Sequence, residues 1–255
     1  GAKRMIYFVG AGSGAPDLIT VRGARLLSEA DVIVYAGSLV NPALLDYKKD
    51  GCEVYNSAKM TLEEVIAVMA PAAKAGKTVV RLHTGDPCVY GAHREQMDEL
   101  DRLGLAYEVC PGVSSFCGAA AALKAEYTLP NVSQSVILTR MEGRTPVPEK
   151  EQIEAFAAHG ATMVIFLSAG QLPRLSERLI AGGYAPDTPA AIVYKATWPD
   201  EKVVRTTVGE LAVAGAREGI TKTALITVGG FLGTEYERSK LYDPTFTTEF
   251  REASR

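Results

Sequence analysis

The sequence predicts an α/β protein of two α/β domains with a ligand cleft between them, and three observations carry that expectation. Short apolar runs alternate with stripes of helical period through most of the chain. Three turns rich in glycine and proline, Gly10–Pro16, Thr84–Gly91 and Pro111–Ser115, each follow one of those runs. Composition changes at Thr128–Ser133, TLPNVS, which reads as a linker between an N-terminal domain over 1–130, holding the glycine-rich turns, and a C-terminal domain over 131–255.

In the N-terminal part, Met5–Val9 reads as a strand, and Pro16 and Asp17 delay the next helix to Thr20, from which it runs over Val21–Ala30. Val32–Tyr35 is a strand, Asn41-Pro42 opens a helical turn, and Glu53–Tyr55 is a further strand before a polar turn at Asn56–Lys59. Thr61-Leu62-Glu63-Glu64 fits a capping box, with Leu62, Val65, Ile66, Met69 and Ala73 on one stripe of a helix ending at Gly76. Thr78–His83 is the next strand, Ala92–Leu103 a helix stopped by Gly104, and Ala106–Val109 a strand. Phe116–Lys124, with Gly118 and four consecutive alanines, predicts a helix that another backbone or a flat ligand can approach closely.

The C-terminal part predicts strand Val136–Thr139, loop Arg140–Pro148 and a helix over Glu149–Ala158 opened by Pro148. Strand Met163–Leu167, helix Leu172–Ala181 and strands Ala190–Tyr194 and Val203–Thr207 follow. Thr207-Val208-Gly209-Glu210 repeats the capping-box pattern before Leu211–Arg217, and Ala224–Val228 is the last clear strand; the tail after Gly233 is polar.

A chain of 255 residues with 47% hydrophobic content buries a core without disulfide or metal staples. A formal net charge of −3 gives no general attraction to nucleic acid or to an anionic membrane, so an anionic ligand must be met by local cations. Cys52, Cys88, Cys110 and Cys117 have no C-x-x-C spacing, which points to reduced thiols in a cytoplasmic protein and to no metal site. No apolar run approaches the roughly 18 residues of a membrane span, and no signal-peptide pattern opens the sequence.

Arg81–Gly91, RLHTGDPCVYG, is the stretch around which the rest is organised. A strand that breaks into Gly85 and Pro87 presents backbone groups to a crevice, and in a parallel sheet the three glycine turns gather at the carboxyl edge. Gly10–Ala15 formally fits G-x-G-x-x-A, so a dinucleotide-dependent oxidoreductase is one reading. The delayed helix, and the absence of a carboxylate after Val32–Tyr35, count against it.

GAGSGAPDLIT, RLHTGDPCVYG and PGVSSF, in that order, resemble the signature blocks of the tetrapyrrole methylases that build sirohaem and cobalamin. Gln134–Pro148, Val193–Thr206 and Tyr35–Val40 are similar to the branch that methylates C11 of precorrin-4 or cobalt-precorrin-4. The resemblance spans roughly Met5 to Gly230. It implies a tetrapyrrole methylase-like fold, S-adenosylmethionine as cofactor with S-adenosylhomocysteine as product, a small-molecule tetrapyrrole substrate and a homodimer. Another precorrin or uroporphyrinogen carbon, or a non-catalytic tetrapyrrole carrier, are the alternatives. Matched block by block, the implied cofactor positions are Ser13, Gly85, Asp86, Val89, Ser114, Ser115, Leu167, Ala196 and Ala224. Asp86 has a second reading as a helix cap. A substrate with several carboxylates calls for cations, and Arg140, Arg144, Lys195 and Lys59 are the candidates. His83 is a further hydrogen-bond donor beside the loop or a structural residue at a strand end.

Two departures from the family pattern matter. The first turn in relatives usually has proline where this chain has Ser13, and several relatives carry an aspartate near Gly37 where this chain has glycine, so no catalytic residue is assigned.

Overall fold

The computed structural model describes residues 1–234, 244, 245, 247–249 and 251–253, so most of the polar tail lies outside the described residues. The chain divides into two compact units, Gly1–Gly118 with Thr197–Pro199, and Ala119–Ala196 with Asp200–Arg255.

The first unit is built on five parallel strands, β1 (Ile6–Gly10), β2 (Val32–Tyr35), β3 (Glu53–Asn56), β4 (Val79–His83) and β5 (Tyr107–Cys110), in the order β3-β2-β4-β1-β5. In β1 the side-chain period of two sends Tyr7 and Val9 to one core and Ile6 and Phe8 to the other. Helix α1 (Val21–Glu29) brings Leu26 and Leu27 to the first core, and Thr20 caps it by accepting the Gly23 amide. Helix α2 (Leu62–Lys74), capped by Thr61 through the Glu64 amide, and α3 (Arg94–Arg102) cover the second core with Val65, Met69 and Leu100. Each of these large side chains contributes about 1.5–3 kcal/mol by leaving water. α3 begins two residues later than its apolar pattern implies, because Ala92 sits at φ 51°, outside the helical region. Helix α4 (Ser115–Leu123) carries the small-residue run, and the boundary between the units falls within it.

The second unit holds a mixed sheet of β6 (Val136–Arg140), β7 (Thr162–Phe166), β8 (Pro189–Tyr194), β9 (Lys202–Thr207) and β10 (Ala224–Val228), ordered β6-β7-β10-β8-β9. β6 and β7 are parallel, whereas β10 runs antiparallel to β7 and β8, and β8 antiparallel to β9. Helices α5 (Ile153–Ala157), α6 (Leu172–Ala181) and α7 (Leu211–Arg217) share one core with it, in which Met163, Ile165, Leu175, Ile192, Leu211 and Ile226 are fully buried.

Two expectations are corrected here. The helix anticipated over Glu149–Ala158 is a 3₁₀ turn, Glu149–Glu151, then α5. Gln152 is extended between them, because its side chain donates to the Val147 carbonyl at 3.2 Å and accepts from Arg178 at 2.5 Å. Thr207 makes no side-chain cap for α7, since the Val208 and Gly209 amides are already taken by the carbonyls of Thr188 and Pro186, at 2.9 and 2.8 Å.

Candidate functional site

β4, β1 and β5 are adjacent and parallel, so the three glycine and proline turns leave the same carboxyl edge of the first sheet. They interlock through the main chain. Gly12 and Gly85 exchange amide–carbonyl bonds of 3.2 and 2.9 Å, and Ala11 donates to the His83 carbonyl at 2.7 Å. A Cβ on Gly10 would stand 2.6 Å from the Gly112 Cα and the Gly85 carbonyl oxygen, so bare backbone is required where the three turns meet. The Gly10–Ala15 turn does not run straight into a helix: a 3₁₀ turn, Pro16–Leu18, precedes α1.

Asp86 uses both carboxylate oxygens on this framework. Oδ1 accepts the Cys88 amide at 2.8 Å and Oδ2 accepts the Gly112 amide at 2.7 Å, which ties the second turn to the third. Burial acts to raise its pKa, but the hydrogen bonds from Cys88 and Gly112 outweigh it and hold the carboxyl below the usual value. The carboxylate therefore braces the loop and does not cap α3, which starts at Arg94. Val89 donates to the Asp86 carbonyl at 3.3 Å, and the return of the loop is strained, with Tyr90 and Ala92 at φ 55° and 51°.

Ser13 is buried, with its hydroxyl 3.0 Å from Thr197 Oγ1, which also accepts the Ala15 amide at 3.1 Å. The carbonyl of buried Ser114 accepts the Cys117 and Gly118 amides and so opens α4, whose first residue is Ser115. A Cβ on Gly118 would meet the Ser13 side chain at 2.7 Å, so at this point the small-residue helix serves tight packing against the first turn.

Sequence reasoning assigned no role to Arg81, Gln96 or Thr197. Arg81 is 7% exposed, and its Nε donates to Gln96 Oε1 at 3.0 Å and Nη1 to the Val34 carbonyl at 3.3 Å. Gln96 Nε2 donates in turn to the Ala92 carbonyl at 3.3 Å, so a buried cation is linked to the end of the cofactor-loop candidate. Burial lowers the Arg81 pKa to about 10, which leaves it charged at neutral pH. A lone arginine in the otherwise apolar run before His83 was the available signal. His83 is 3% exposed and stacks on Phe8; burial, with the charges of Arg81 and His93, pushes its pKa down to about 3. His83 Nε2 and Thr84 Oγ1 are buried without a hydrogen-bond partner.

In the second unit, the ends of β6, β7 and β8 and the start of β10 share one sheet edge. Arg140, Leu167, Lys195, Ala196 and Ala224 all fall there, Leu167 64% exposed at φ 55° and the two alanines buried. Lys195 Nζ donates to Asp200 at 3.2 Å, a bond that raises its pKa, and lies 5.6 Å from the Tyr194 ring centroid. Arg140 donates to three loop carbonyls, and Arg144 is exposed in the same loop. Lys59 is exposed in a 3₁₀ turn after β3, at the first sheet's carboxyl edge but on its outermost strand. Gly37, after β2, leaves no room for a carboxylate, because the Asn56 amide occupies the space a side chain would need.

The sequence model of the Tetrapyrrole (Corrin/Porphyrin) Methylases matches residues 5–212. The cobalt-precorrin-4 C(11)-methyltransferase of Methanocaldococcus jannaschii is 54% identical over 252 residues, covering 98% of this chain and 97% of the relative. The X-ray structure of a cobalt precorrin-4 methyltransferase, CbiF, has a TM-score of 0.88 at 50% identity and covers 90% of this chain and 96% of its own. A uroporphyrin-III C-methyl transferase from Thermus thermophilus, complexed with S-adenyl homocysteine, has a TM-score of 0.73 at 28% identity, covering 92% of this chain and 96% of its own.

Proposed function

Since the chain belongs to the tetrapyrrole methylases, we propose that it transfers the methyl group of S-adenosylmethionine to C11 of precorrin-4, metal-free or as its cobalt complex, in cobalamin biosynthesis. The observation that carries this reading is 54% identity, over nearly the full length of both chains, to an enzyme named for that reaction.

The first unit suits the cofactor. Three turns meet at one sheet edge on a framework braced by their own main-chain bonds, and Thr84 Oγ1 is buried with no partner of its own. On this reading Ser13, Gly85, Val89, Ser114 and Ser115 contact the cofactor, and Asp86 holds the amides of Cys88 and Gly112 in place for it. Leu167, Ala196 and Ala224, the cofactor positions that the family resemblance implies in the second unit, are small or apolar. S-adenosylmethionine, when bound, supplies a methyl group already activated on a sulfonium. The residues then have to orient the two reactants and keep water out, which needs no nucleophile. Cations at Arg144, Lys195 and Lys59 meet the substrate's carboxylates.

The reading places the protein in the cytoplasm as a homodimer; four free cysteines support a reducing compartment. Sedimentation at micromolar concentration tests the dimer. For the activity, protein with S-adenosylmethionine and either form of precorrin-4 is expected to yield a product one methyl group heavier by mass spectrometry. Tight binding of a nicotinamide dinucleotide, with no methylated product, would overturn it.

A further inference from the structure

Two arginines, Arg140 at the end of β6 and Arg144 in the loop that leaves it, sit in very different settings. The Arg140 guanidinium is spent on the loop itself, donating to the carbonyls of Met141 at 3.2 Å, Thr145 at 3.4 Å and Pro146 at 3.1 Å. The two ends of the loop are both tied to Arg178. Glu142 accepts from Arg174 at 2.5 Å and from Arg178 at 2.7 Å, while Gln152, held by Arg178, donates to the Val147 carbonyl at 3.2 Å. Arg178 is largely buried and also pairs with Glu154; the bonds to Glu154 raise its pKa against the effect of burial, with Glu142 adding to them. The segment is thus held by ion pairs at Glu142, by the Gln152 hydrogen bond to the Val147 carbonyl at its other end, and by the Arg140 guanidinium through its middle.

At the apex, the Gly143 amide donates to the Thr145 carbonyl at 3.3 Å, so the residues on either side of Arg144 are bonded to each other across it. The Arg144 side chain is exposed. Arg140 pairs in register with Phe166, so the loop departs beside Leu167, one of the proposed cofactor positions.

The geometry assigns Arg144 as the loop's contact to a peripheral carboxylate of the tetrapyrrole, and Arg140 as the positioning residue that fixes the loop carrying it. This assignment rests on the methyltransferase reading above and divides two residues that sequence alone treats alike. A guanidinium fork matches a carboxylate, and a loop ordered before binding loses little freedom when the ligand arrives.

The test measures equilibrium binding of cobalt-precorrin-4 and of S-adenosylhomocysteine, with amide hydrogen exchange over 141–148, for R144Q, R144K, R140Q and R140K. R144Q is expected to weaken tetrapyrrole binding about tenfold or more, with cofactor affinity and loop exchange unchanged, and R144K, which keeps the charge but not the fork, to recover part of the loss. R140Q and R140K are both expected to speed loop exchange and weaken tetrapyrrole binding, since an ammonium on a flexible stem does not reproduce a planar fork spanning three carbonyls. Unchanged tetrapyrrole affinity in R144Q, with wild type binding and methylating normally, overturns the Arg144 assignment alone. Weaker binding in R140Q with loop exchange at the wild-type rate overturns the positioning role. A wild type that binds no tetrapyrrole overturns the functional reading itself, and this inference with it.

Discussion

Ser13 Oγ stands 3.0 Å from Thr197 Oγ1, and that single threonine oxygen also receives the Ala15 amide. Two hydroxyls and an amide thus stiffen this turn by hydrogen bonding. Thr197→Val keeps the shape and removes both bonds. It is expected to lower stability by about 1–2 kcal/mol and to weaken S-adenosylhomocysteine several-fold by calorimetry. Ser13→Ala combined with Thr197→Val should show non-additive losses, because the two share one bond. Full additivity would mean that the contact does not set the turn.

Asp86→Ala is expected to weaken the cofactor about tenfold or more, because the Cys88 and Gly112 amides lose their acceptor and the second and third turns come apart. Asp86→Asn should lose less, since one oxygen remains to take one amide. Equal affinities for wild type and both variants would remove Asp86 from the site.

Gln96→Leu breaks the link from Arg81 to the Ala92 carbonyl while keeping the side chain buried. It leaves a buried guanidinium short of an acceptor, so a loss of about 1–3 kcal/mol in urea unfolding is expected, together with faster amide exchange over 86–92. An unchanged unfolding midpoint would show that Arg81 finds another acceptor.

His83 makes stability depend on pH. The unfolded imidazole titrates near 6.5, whereas burial first, then the Arg81 and His93 charges, keep the folded one neutral down to about pH 3, with Asp86 opposing them. Between those values the unfolded chain binds the extra proton, so stability falls as pH falls through that window and is complete above it. His83→Gln should flatten the dependence of unfolding free energy on pH between about 6.5 and the onset of acid denaturation. An identical slope in the variant would contradict a buried neutral imidazole.

The strands of the first sheet and their shared edge were legible in the sequence, because the apolar runs are short and each useful turn is marked by glycine or proline. What holds the turns together was not. The Asp86 partner Gly112 comes from the next strand's turn, and Thr197 lies far along the chain from Ser13. The helix break at Gln152 depends on Arg178 in α6, and the missing cap at Thr207 on carbonyls of Pro186 and Thr188. Local patterns record periodicity and turn chemistry; they carry no trace of which distant carbonyl already occupies an amide. Arg81 is the exception, since a charge inside a buried strand is visible before any fold is known.

The most direct test of the central claim follows an isotopically labelled methyl group from S-adenosylmethionine into precorrin-4 and its cobalt complex, with the product assigned by carbon NMR. The account predicts one labelled methyl on C11, formed in proportion to S-adenosylhomocysteine. Label on another ring carbon, or no transfer to either form of the substrate, would contradict it.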